Sequence, residues 1–402
     1  MIAYSKAAER ELPVGLVLSG GGARGAFQVG VWSIVRNHSL GLRRPPDAIS
    51  GTSAGALNGA LIAAGLGPDQ MLEFWLGLAK NPPVKANREF FRSAQSAIAK
   101  LLAREPLRAL GKRKRSAGIL FQVLRKHSWF GRGHWLAVAL EYLLTGRFDA
   151  VSDLLDQIDT AYLFSTEPMR GYLARWIGGA SIARPACRLA INTVDVRTGQ
   201  IVRFVTHPPQ VHAESDASQY HVGPITVEKI LASASIPLLF DPISVDGLEL
   251  WDGGLLVNTP IAPAVALGAR RIIPVLVTSG TDSQPHKKLS LGMAVERLAD
   301  AFLENAYNTD RKLLLERNRL AESLPELGLN VVELFEAVRP MSSKRFDAGS
   351  YLYFEQDAML EMYQAGRVAA EEWLARGPLL DTHPGPPHSD ELPRASAITS
   401  GG

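Results

Sequence analysis

Residues 47–64 read DAISGTSAGALNGALIAA, and this stretch decides the fold class. Its first part, Asp47–Ser50, is a short run that ends at a glycine and is typical of a buried strand. After Ser53, apolar residues recur at helical spacing through Ala54–Ala64, and Gly65 ends the pattern. The stretch therefore predicts a strand, a sharp turn and a helix.

The turn itself has the residues of a nucleophile elbow. In Gly51-Thr52-Ser53-Ala54-Gly55 the small neighbours of Ser53 permit a strained strand-to-helix turn that lifts the serine hydroxyl above a sheet. The N-terminus of the following helix favours developing negative charge. A glycine-rich structural turn is the alternative. The strand before the motif and the helix after it favour a nucleophilic serine.

A second glycine motif lies upstream. Residues 19–25, Ser-Gly-Gly-Gly-Ala-Arg-Gly, follow an apolar strand at Val14–Ser19 and precede a predicted helix at Ala26–Val35. Backbone N–H groups of such a turn bind anions, either a tetrahedral oxyanion or a pyrophosphate. The glycine spacing also fits a dinucleotide-binding site, which needs an acid at the far end of the second strand. Asp47 lies at the start of that strand, which disfavours the dinucleotide alternative.

The base that would activate Ser53 is harder to find. Asp252-Gly253-Gly254 follows a predicted strand at Leu248–Trp251, and the glycines let a carboxylate approach another backbone closely. A triad would need a histidine after the acid, and His286, His383 and His388 are the candidates. All three lie in polar or tail segments. Asp252 is therefore the better candidate, with an ordinary turn and a triad through His286 as alternatives.

The rest of the chain alternates between strands and helices. Cys187–Val194 and Ile201–Thr206 resemble a hairpin, Arg271–Thr278 adds a strand, and Leu298–Leu320 and Gln356–Ala375 have helical periodicity. This alternation predicts an α/β layered fold.

The domain organisation follows from breaks in this pattern. We expect one domain over residues 12–376 with a largely helical cap inserted at about 70–185, between proline-containing breakers. Residues 377–402 are rich in Pro, Gly, Ser and His without apolar spacing, so we expect a disordered tail.

Composition limits the class of protein. The 402 residues, 46% hydrophobic and 21% charged, can bury a large core. The single cysteine, Cys187, cannot form an internal disulfide and is expected to be a small buried hydrophobe. Residues 1–12 contain no apolar segment of a secretory signal, and no apolar stretch reaches the roughly 18 residues of a spanning helix. The cytoplasm, with peripheral membrane contact, is the expected location.

Residues 85–135 carry a concentrated positive charge. They hold 13 Lys or Arg against Glu89 and Glu105, a local charge of +11, mixed with phenylalanines and tryptophans. Such a segment suits anionic lipid headgroups, while nucleic acid is not expected. A solvated helical face is the alternative.

These motifs together resemble the patatin-like phospholipases, over about residues 14–278. The resemblance rests on Gly20-Gly21-Gly22-Ala23-Arg24-Gly25, Gly51-Thr52-Ser53-Ala54-Gly55, Ala234-Ser235-Ile236-Pro237, and Asp252-Gly253-Gly254 followed by Asn258 and Pro260. It implies a mainly parallel sheet flanked by helices and a Ser-Asp dyad formed by Ser53 and Asp252. It also implies a lipid ester substrate, such as a phospholipid.

The implied chemistry assigns each motif a role. Asp252 is expected to take the Ser53 proton, and the N–H groups of Gly21, Gly22 and Ala23 are expected to form the oxyanion hole. The activity implied is that of a lipid acyl-hydrolase of the phospholipase A or lysophospholipase type. Arg24 either orients the glycine loop or orients substrate through a phosphate, and a structural salt bridge is the alternative. We expect no cofactor and no metal. The alternative function is a non-catalytic protein on the same fold that docks to a membrane or partner through residues 85–135.

Overall fold

The computed structural model describes residues 12–38, 45–82, 84–97, 100, 155–156, 158–210, 219–278, 291–340, 351 and 354–381. The strands are β1 (Val14–Leu18), β2 (Ala48–Gly51), β3 (Lys85–Ala86), β4 (Tyr162–Ser165), β5 (Arg188–Asp195), β6 (Ile201–Val205), β7 (Tyr220–Val222), β8 (Leu238–Phe240), β9 (Ile243–Val245), β10 (Leu248–Asp252), β11 (Arg271–Val275) and β12 (Glu333–Leu334). The α-helices are α1 (Gly25–Val35), α2 (Ala54–Ala63), α3 (Pro68–Lys80), α4 (Glu167–Ile177), α5 (Val227–Ala232), α6 (Ile261–Ala266), α7 (Leu291–Ser323) and α8 (Gln356–Ala375).

The larger sheet is mainly parallel, as the sequence predicted. Within the described residues its order is β12-β11-β1-β2-β5-β10-β9, with β6 paired to β5 and β7 to β6. The five strands from β12 to β5 run parallel, and β10, β9 and β6 bring the antiparallel pairs. All five residues of β1 are buried. Continuous burial is expected of a parallel strand covered on both faces.

Helices cover both faces of this sheet. Side chains alternate along a strand, and Leu16 and Leu18 belong to one hydrophobic core while Val17 belongs to another. The first core contains residues of α1, α2, α3 and α8, and the second contains residues of α6 and α7. The sheet is therefore the middle layer of a three-layer α/β arrangement. This confirms the predicted fold class.

Helices α1 and α8 pack at glycines. A Cβ atom at Gly30 would lie 2.0 Å from the Tyr363 carbonyl oxygen, and one at Gly366 would lie 2.0 Å from the Phe27 carbonyl oxygen. Neither backbone can move away without separating the helices. The close approach of the two helices therefore requires glycine at both positions.

Gly366→Ala is expected to lower the free energy of unfolding by about 1–3 kcal/mol, because the added methyl forces α8 away from α1. Urea denaturation measures the change. Val368→Ala, at a 47% exposed position of the same helix, should change it by no more than about 0.5 kcal/mol. Equal effects of the two substitutions would contradict the glycine packing.

The second compact unit comprises Val84–Ser165 and Pro237–Asp241. Its described part contains a small sheet in which β3 pairs antiparallel with β4 and β4 pairs parallel with β8. Residues 88–97 are helical. The Phe164 and Phe240 rings lie 6.5 Å apart between their centroids. Residues 101–154, the middle of the predicted cap and most of the basic segment, lie outside the described residues.

The boundaries of the predicted cap and tail stay predictions. Helix α4 and most of α3 lie inside the expected limits of 70–185, and both helices group with the larger unit. At the C-terminus the Glu336 N–H donates to the Leu379 carbonyl and the Asp381 N–H donates to the Leu334 carbonyl. The chain therefore keeps hydrogen-bonding as far as Asp381, and residues 382–402 lie outside the described residues.

Candidate active site

Ser53 occupies the strained turn that the elbow motif predicts. It lies between β2 and α2 with φ 55° and ψ −122°, a conformation that side-chain-bearing residues rarely adopt. A Cβ atom at Gly51 would lie 2.3 Å from the Gly55 carbonyl oxygen, and one at Gly55 would lie 2.2 Å from the Leu18 carbonyl oxygen. Only glycine fits at these two positions, so the small residues of the motif permit the turn.

Ser233 holds the backbone of this turn. The Ser53 N–H donates to the Ser233 Oγ at 3.0 Å, and the Ser233 hydroxyl donates to the Asn192 carbonyl at 2.6 Å. Both serines and Asn192 are buried. Sequence reasoning missed Ser233, and the adjacent motif that begins at Ala234 was the one available signal.

Ser233→Ala is expected to lower the kcat of ester hydrolysis about tenfold or more, because the buried Ser53 N–H loses its acceptor and the turn can relax. The comparison variant is Ser235→Ala, since Ser235 is also fully buried but donates to the Leu231 carbonyl. Ser233→Thr keeps a hydroxyl and should restore most of the activity. Equal losses of kcat in Ser233→Ala and Ser235→Ala would remove Ser233 from the site.

Asp252 ends β10 and faces Ser53. Ser53 acts on its carboxylate as a hydrogen-bonding side chain that lowers the pKa, and the Gly254 N–H donates to Oδ1 at 2.7 Å. The Asp252 backbone N–H donates to the Ser235 carbonyl at 3.0 Å, so the Ala234–Pro237 motif supports the acid. The structure thus brings together the two residues that the sequence proposed as partners.

Burial gives this carboxylate the properties of a base. Loss of solvent around Asp252, whose residue is 4% exposed, raises its pKa to about 7 despite the opposing hydrogen bonds from Ser53 and Gly254. An exposed aspartate, with a pKa near 3.9, would be a weak proton acceptor. A pKa near neutrality suits general base catalysis.

Strand register explains why the two residues meet. Across β5, Gly51 of β2 lies opposite Ile191 and Asp252 of β10 lies opposite Thr193. Because β2 and β10 run in opposite directions along β5, the end of each strand arrives at the same level of the sheet. The side chains that follow these two ends can therefore contact each other.

The glycine loop after β1 lies beside Ser53. The Gly20 N–H donates to the Asn258 carbonyl at 3.0 Å, and a Cβ atom at Gly20 would lie 3.1 Å from the Ser53 Cβ. Gly22 has φ +54°, in the left-handed region that favours glycine. Among the described residues, no acceptor is found for the N–H groups of Gly21 and Gly22. These two groups can donate to an anion at this edge of the sheet.

Ala23 differs from its two neighbours. Its N–H donates to the Tyr351 carbonyl at 2.8 Å, and a Cβ atom at Gly22 would lie 2.1 Å from the same oxygen. The predicted third donor of the oxyanion hole is thus occupied by the backbone of Tyr351. It can donate to a substrate once this hydrogen bond is broken.

Arg24 forms the structural salt bridge that was one of its predicted roles. The residue is 1% exposed, and its Nη1 lies 3.2 Å from the Asp300 Oδ1 and donates to the Val277 carbonyl at 3.3 Å. Its guanidinium carbon lies 3.8 Å from the centre of the Tyr351 ring, and the Tyr351 hydroxyl also bonds to Asp300. These contacts favour the structural role over substrate orientation.

A buried polar network connects the helices behind the loop. The Asn58 Nδ2 donates to the Gly25 carbonyl at 2.9 Å and to the Gln28 Oε1 at 2.8 Å, and the Trp75 indole donates to the Asn58 Oδ1 at 2.8 Å. The Gln28 Nε2 donates to the Ser19 carbonyl at 2.7 Å. A fully bonded buried network fixes relative positions. Here it ties α1, α2 and α3 to the end of β1.

The described histidines do not complete a triad. His38 follows α1 and its backbone N–H donates to the Val35 carbonyl. His207 is exposed and its Nδ1 lies 2.8 Å from the Thr206 hydroxyl, and His221 is exposed beside Phe204. The triad candidates His286, His383 and His388 lie outside the described residues. Within the described part of the chain, the Asp252 carboxylate accepts the Gly254 N–H and interacts with Ser53, and its backbone N–H donates to the Ser235 carbonyl.

Other sequence expectations concern metals, thiols and membranes. Cys187 is buried, and burial raises the pKa of its thiol to about 12, so it is an unreactive hydrophobe as expected.

Asp47 accepts the Val14 N–H at 2.8 Å, a structural role at the start of β1. No cluster of metal-binding side chains occurs among the described residues. None of the helices that the structure describes is both long and apolar enough to span a bilayer.

Comparison with known proteins identifies the class. The family model of patatin-like phospholipases matches residues 16–265, which is well over half of the chain. The chain belongs to the patatin-like phospholipase family. This match contains the glycine loop, Ser53 and Asp252, and it supersedes the dinucleotide-binding alternative.

Two individual proteins are similar to this chain. Lysophospholipase nte1 from Aspergillus terreus is 56% identical over 50 residues, which cover 12% of this chain and 3% of that protein. The chain therefore spans only a small part of that relative. The crystal structure of VipD from Legionella pneumophila matches with a TM-score of 0.37 and 15% identity, over 95% of this chain and 70% of that chain.

Proposed function

We propose that this protein is a lipid acyl-hydrolase of the phospholipase A or lysophospholipase type that uses Ser53 as nucleophile and Asp252 as base. The observation that carries the proposal is that Ser53, in its strained turn between β2 and α2, interacts with the buried carboxylate of Asp252. Membership of the patatin-like phospholipase family supports a lipid ester as substrate. The partial likeness to a lysophospholipase agrees with this substrate class.

The reaction begins with proton transfer. Asp252 accepts the Ser53 proton while the Ser53 Oγ attacks the acyl carbonyl carbon and forms a tetrahedral intermediate. The N–H groups of Gly21 and Gly22 stabilise the oxyanion, and the N–H of Ala23 joins them when the Tyr351 carbonyl moves away. The N-terminus of α2, immediately after Ser53, adds to this stabilisation.

The second half of the reaction releases both products. The alcohol part of the lipid leaves with the proton held by Asp252, and an acyl-enzyme on Ser53 remains. Water then attacks the ester carbon while Asp252 accepts a proton from the water, and the fatty acid leaves as Ser53 regains a proton. The chemistry needs the Asp252 carboxylate to act as base and then as acid in each half of the reaction, so that Ser53 regains its proton from Asp252 when the fatty acid leaves.

Docking at an anionic membrane through residues 85–135 is part of the same proposal. The local charge of +11 and the interspersed aromatic residues support it, since basic segments bind anionic lipid surfaces. The expected location is therefore the cytoplasm with peripheral membrane contact. No nucleic acid partner and no cofactor are proposed.

The central experiment combines active-site labelling with product detection. The purified protein, Ser53→Ala and Asp252→Asn are incubated with a fluorophosphonate probe and separately with mixed phospholipid vesicles. Labelling and fatty-acid release by the unaltered protein alone are expected. Vesicle binding without labelling or release would favour the non-catalytic docking protein. Loss of activity in His286→Ala would favour a triad.

The pH dependence of hydrolysis is expected to follow Asp252. Since the carboxylate must be ionised to accept the Ser53 proton, kcat/KM should be constant well above pH 7 and fall about tenfold per pH unit below it. A soluble short-chain ester measured from pH 5 to 9 tests this. A profile that stays flat down to pH 5 would assign an ordinary aspartate pKa to the base and remove the role of burial.

A further inference from the structure

A cavity of about 540 Å³ lies on the face of the sheet opposite α2. It is bordered by β6, α6 and α7, and its lining contains neither Ser53 nor Asp252 nor any residue of the glycine loop. Its volume falls within the range of roughly 300–1,000 Å³ that is usual for small-molecule sites. It is therefore a second concave site, separate from the proposed catalytic residues.

Most of the cavity wall is apolar. Ile201 of β6, Ile261 and Val265 of α6, and Leu314 of α7 contribute aliphatic surface. Ile261 and Leu314 are buried, at 1% and 5% exposure. A wall of this kind favours a hydrocarbon chain, because the ligand removes its own apolar surface from water.

Two arginines add positive charge to this apolar wall. Arg203 is 9% exposed, its Nη1 donates to the Gln219 Oε1, and its guanidinium carbon lies 5.2 Å from the centre of the Tyr220 ring. Its charge acts on Asp310 of the same wall and lowers the pKa of that carboxyl, but among the described residues its buried Nε has no hydrogen-bond acceptor. A buried donor without an acceptor is costly. The site therefore holds an N–H group that a ligand anion can accept from.

The second arginine lies on α7 at the same cavity. Arg317 donates through Nη1 to the Asn330 carbonyl at 2.7 Å, and partial burial together with Arg270 lowers its pKa. Asp310 is the one acid among the lining residues, so the charged side chains of the wall sum to +1. This net charge of the lining side chains favours a ligand with a single negative charge.

We propose that this cavity binds the carboxylate of a long-chain fatty acid, with the head at Arg203 and Arg317 and the chain along the apolar wall. Arginine binds carboxylates through charge-assisted hydrogen bonds. Asp310 also faces the cavity, and burial raises its pKa to about 6 although the nearby Arg203 charge lowers it. The protonated fraction of Asp310 can donate a hydrogen bond to the bound carboxylate. The proposal does not rest on the proposed function, since it concerns binding alone.

The test uses the full chain carrying Ser53→Ala, so that no ester is consumed. Oleate and, separately, methyl oleate are titrated into this protein at concentrations below their aggregation limits, and the dissociation constants are measured. Oleate is expected to bind at least tenfold more tightly than its methyl ester, which has the same chain without the charge. Arg317→Met in this background should weaken oleate binding at least tenfold. Arg319→Met is the matched control, because Arg319 lies on the same helix, outside the cavity lining, and pairs with Glu316.

A third variant blocks the space without touching a charge. Ala262 is an exposed lining residue, so Ala262→Trp fills the mouth of the cavity with little disturbance of the core. It should also reduce oleate binding at least tenfold. Oleate binding that survives both Arg317→Met and Ala262→Trp would place the ligand elsewhere, for example at the proposed catalytic residues, and overturn the proposal. Absence of oleate binding, or equal affinity for the ester, would overturn it as well.

Discussion

Asp252→Asn is expected to lower ester hydrolysis about 10³-fold, because the amide cannot accept the proton that Ser53 must lose. The substitution keeps the size and shape of the side chain, so the fold should be retained. Steady-state hydrolysis of a soluble ester and the rate of fluorophosphonate labelling measure the effect. Ser53→Ala supplies the baseline for hydrolysis without the nucleophile.

The same substitution makes an opposite prediction for stability. Burial raises the folded-state pKa of Asp252 to about 7, so any stability linked to its proton is present at acid pH and is lost as the pH rises through 7. Asp252→Asn removes this buried charge, and at pH 8 its Tm should equal or exceed that of the unaltered protein. A variant with a raised Tm and undiminished hydrolysis would refute the role of Asp252 as base.

Gly55→Ala is expected to reduce both stability and activity. The new Cβ atom would lie 2.2 Å from the Leu18 carbonyl oxygen and 2.8 Å from the Ser19 carbonyl oxygen, so α2 must move away from β1. Overpacking of this kind costs about 1–3 kcal/mol. Because Ser53 immediately precedes α2, its displacement should lower hydrolysis about 10²-fold.

The matched control is Gly171→Ala in α4. Nothing lies within 4 Å of a Cβ atom at Gly171, and the residue is exposed. Alanine there should stabilise the helix by up to about 1 kcal/mol and leave hydrolysis unchanged. Thermal denaturation and ester hydrolysis of both variants give the comparison. If Gly55→Ala behaves like Gly171→Ala, the elbow does not depend on close contact between α2 and β1.

Much of the fold was predictable from local patterns. The hairpin predicted from Cys187–Val194 and Ile201–Thr206 is the antiparallel pair β5 and β6, and the helix predicted at Gln356–Ala375 has those bounds in the structure. The helix expected at Leu298–Leu320 extends over Leu291–Ser323. Periodicity identifies such elements because it records which side of each faces a core.

Contacts between distant segments were less predictable. Ser233 was missed because a serine after a short helix has no distinctive pattern, and its role depends on Ser53, which lies 180 positions earlier in the chain. The glycine loop after β1 was predicted from its sequence, while the hydrogen bond from the Ala23 N–H to the Tyr351 carbonyl was not. A carbonyl group has no side-chain signature, so the sequence does not record where it accepts a hydrogen bond.

By itself, the sequence determined the motifs, the class of fold and the identity of Ser53 and Asp252 as candidate partners. These features depend on glycines that fit tight turns and on the spacing of apolar residues, and both act over a few neighbouring residues. Only the tertiary structure decided that β2 and β10 end at nearly the same level of β5 and that burial raises the pKa of Asp252 to about 7. It also decided that the buried Nε of Arg203 has no hydrogen-bond partner among the described residues. These properties depend on strand register and solvent exclusion, which arise when segments about 200 residues apart pack together.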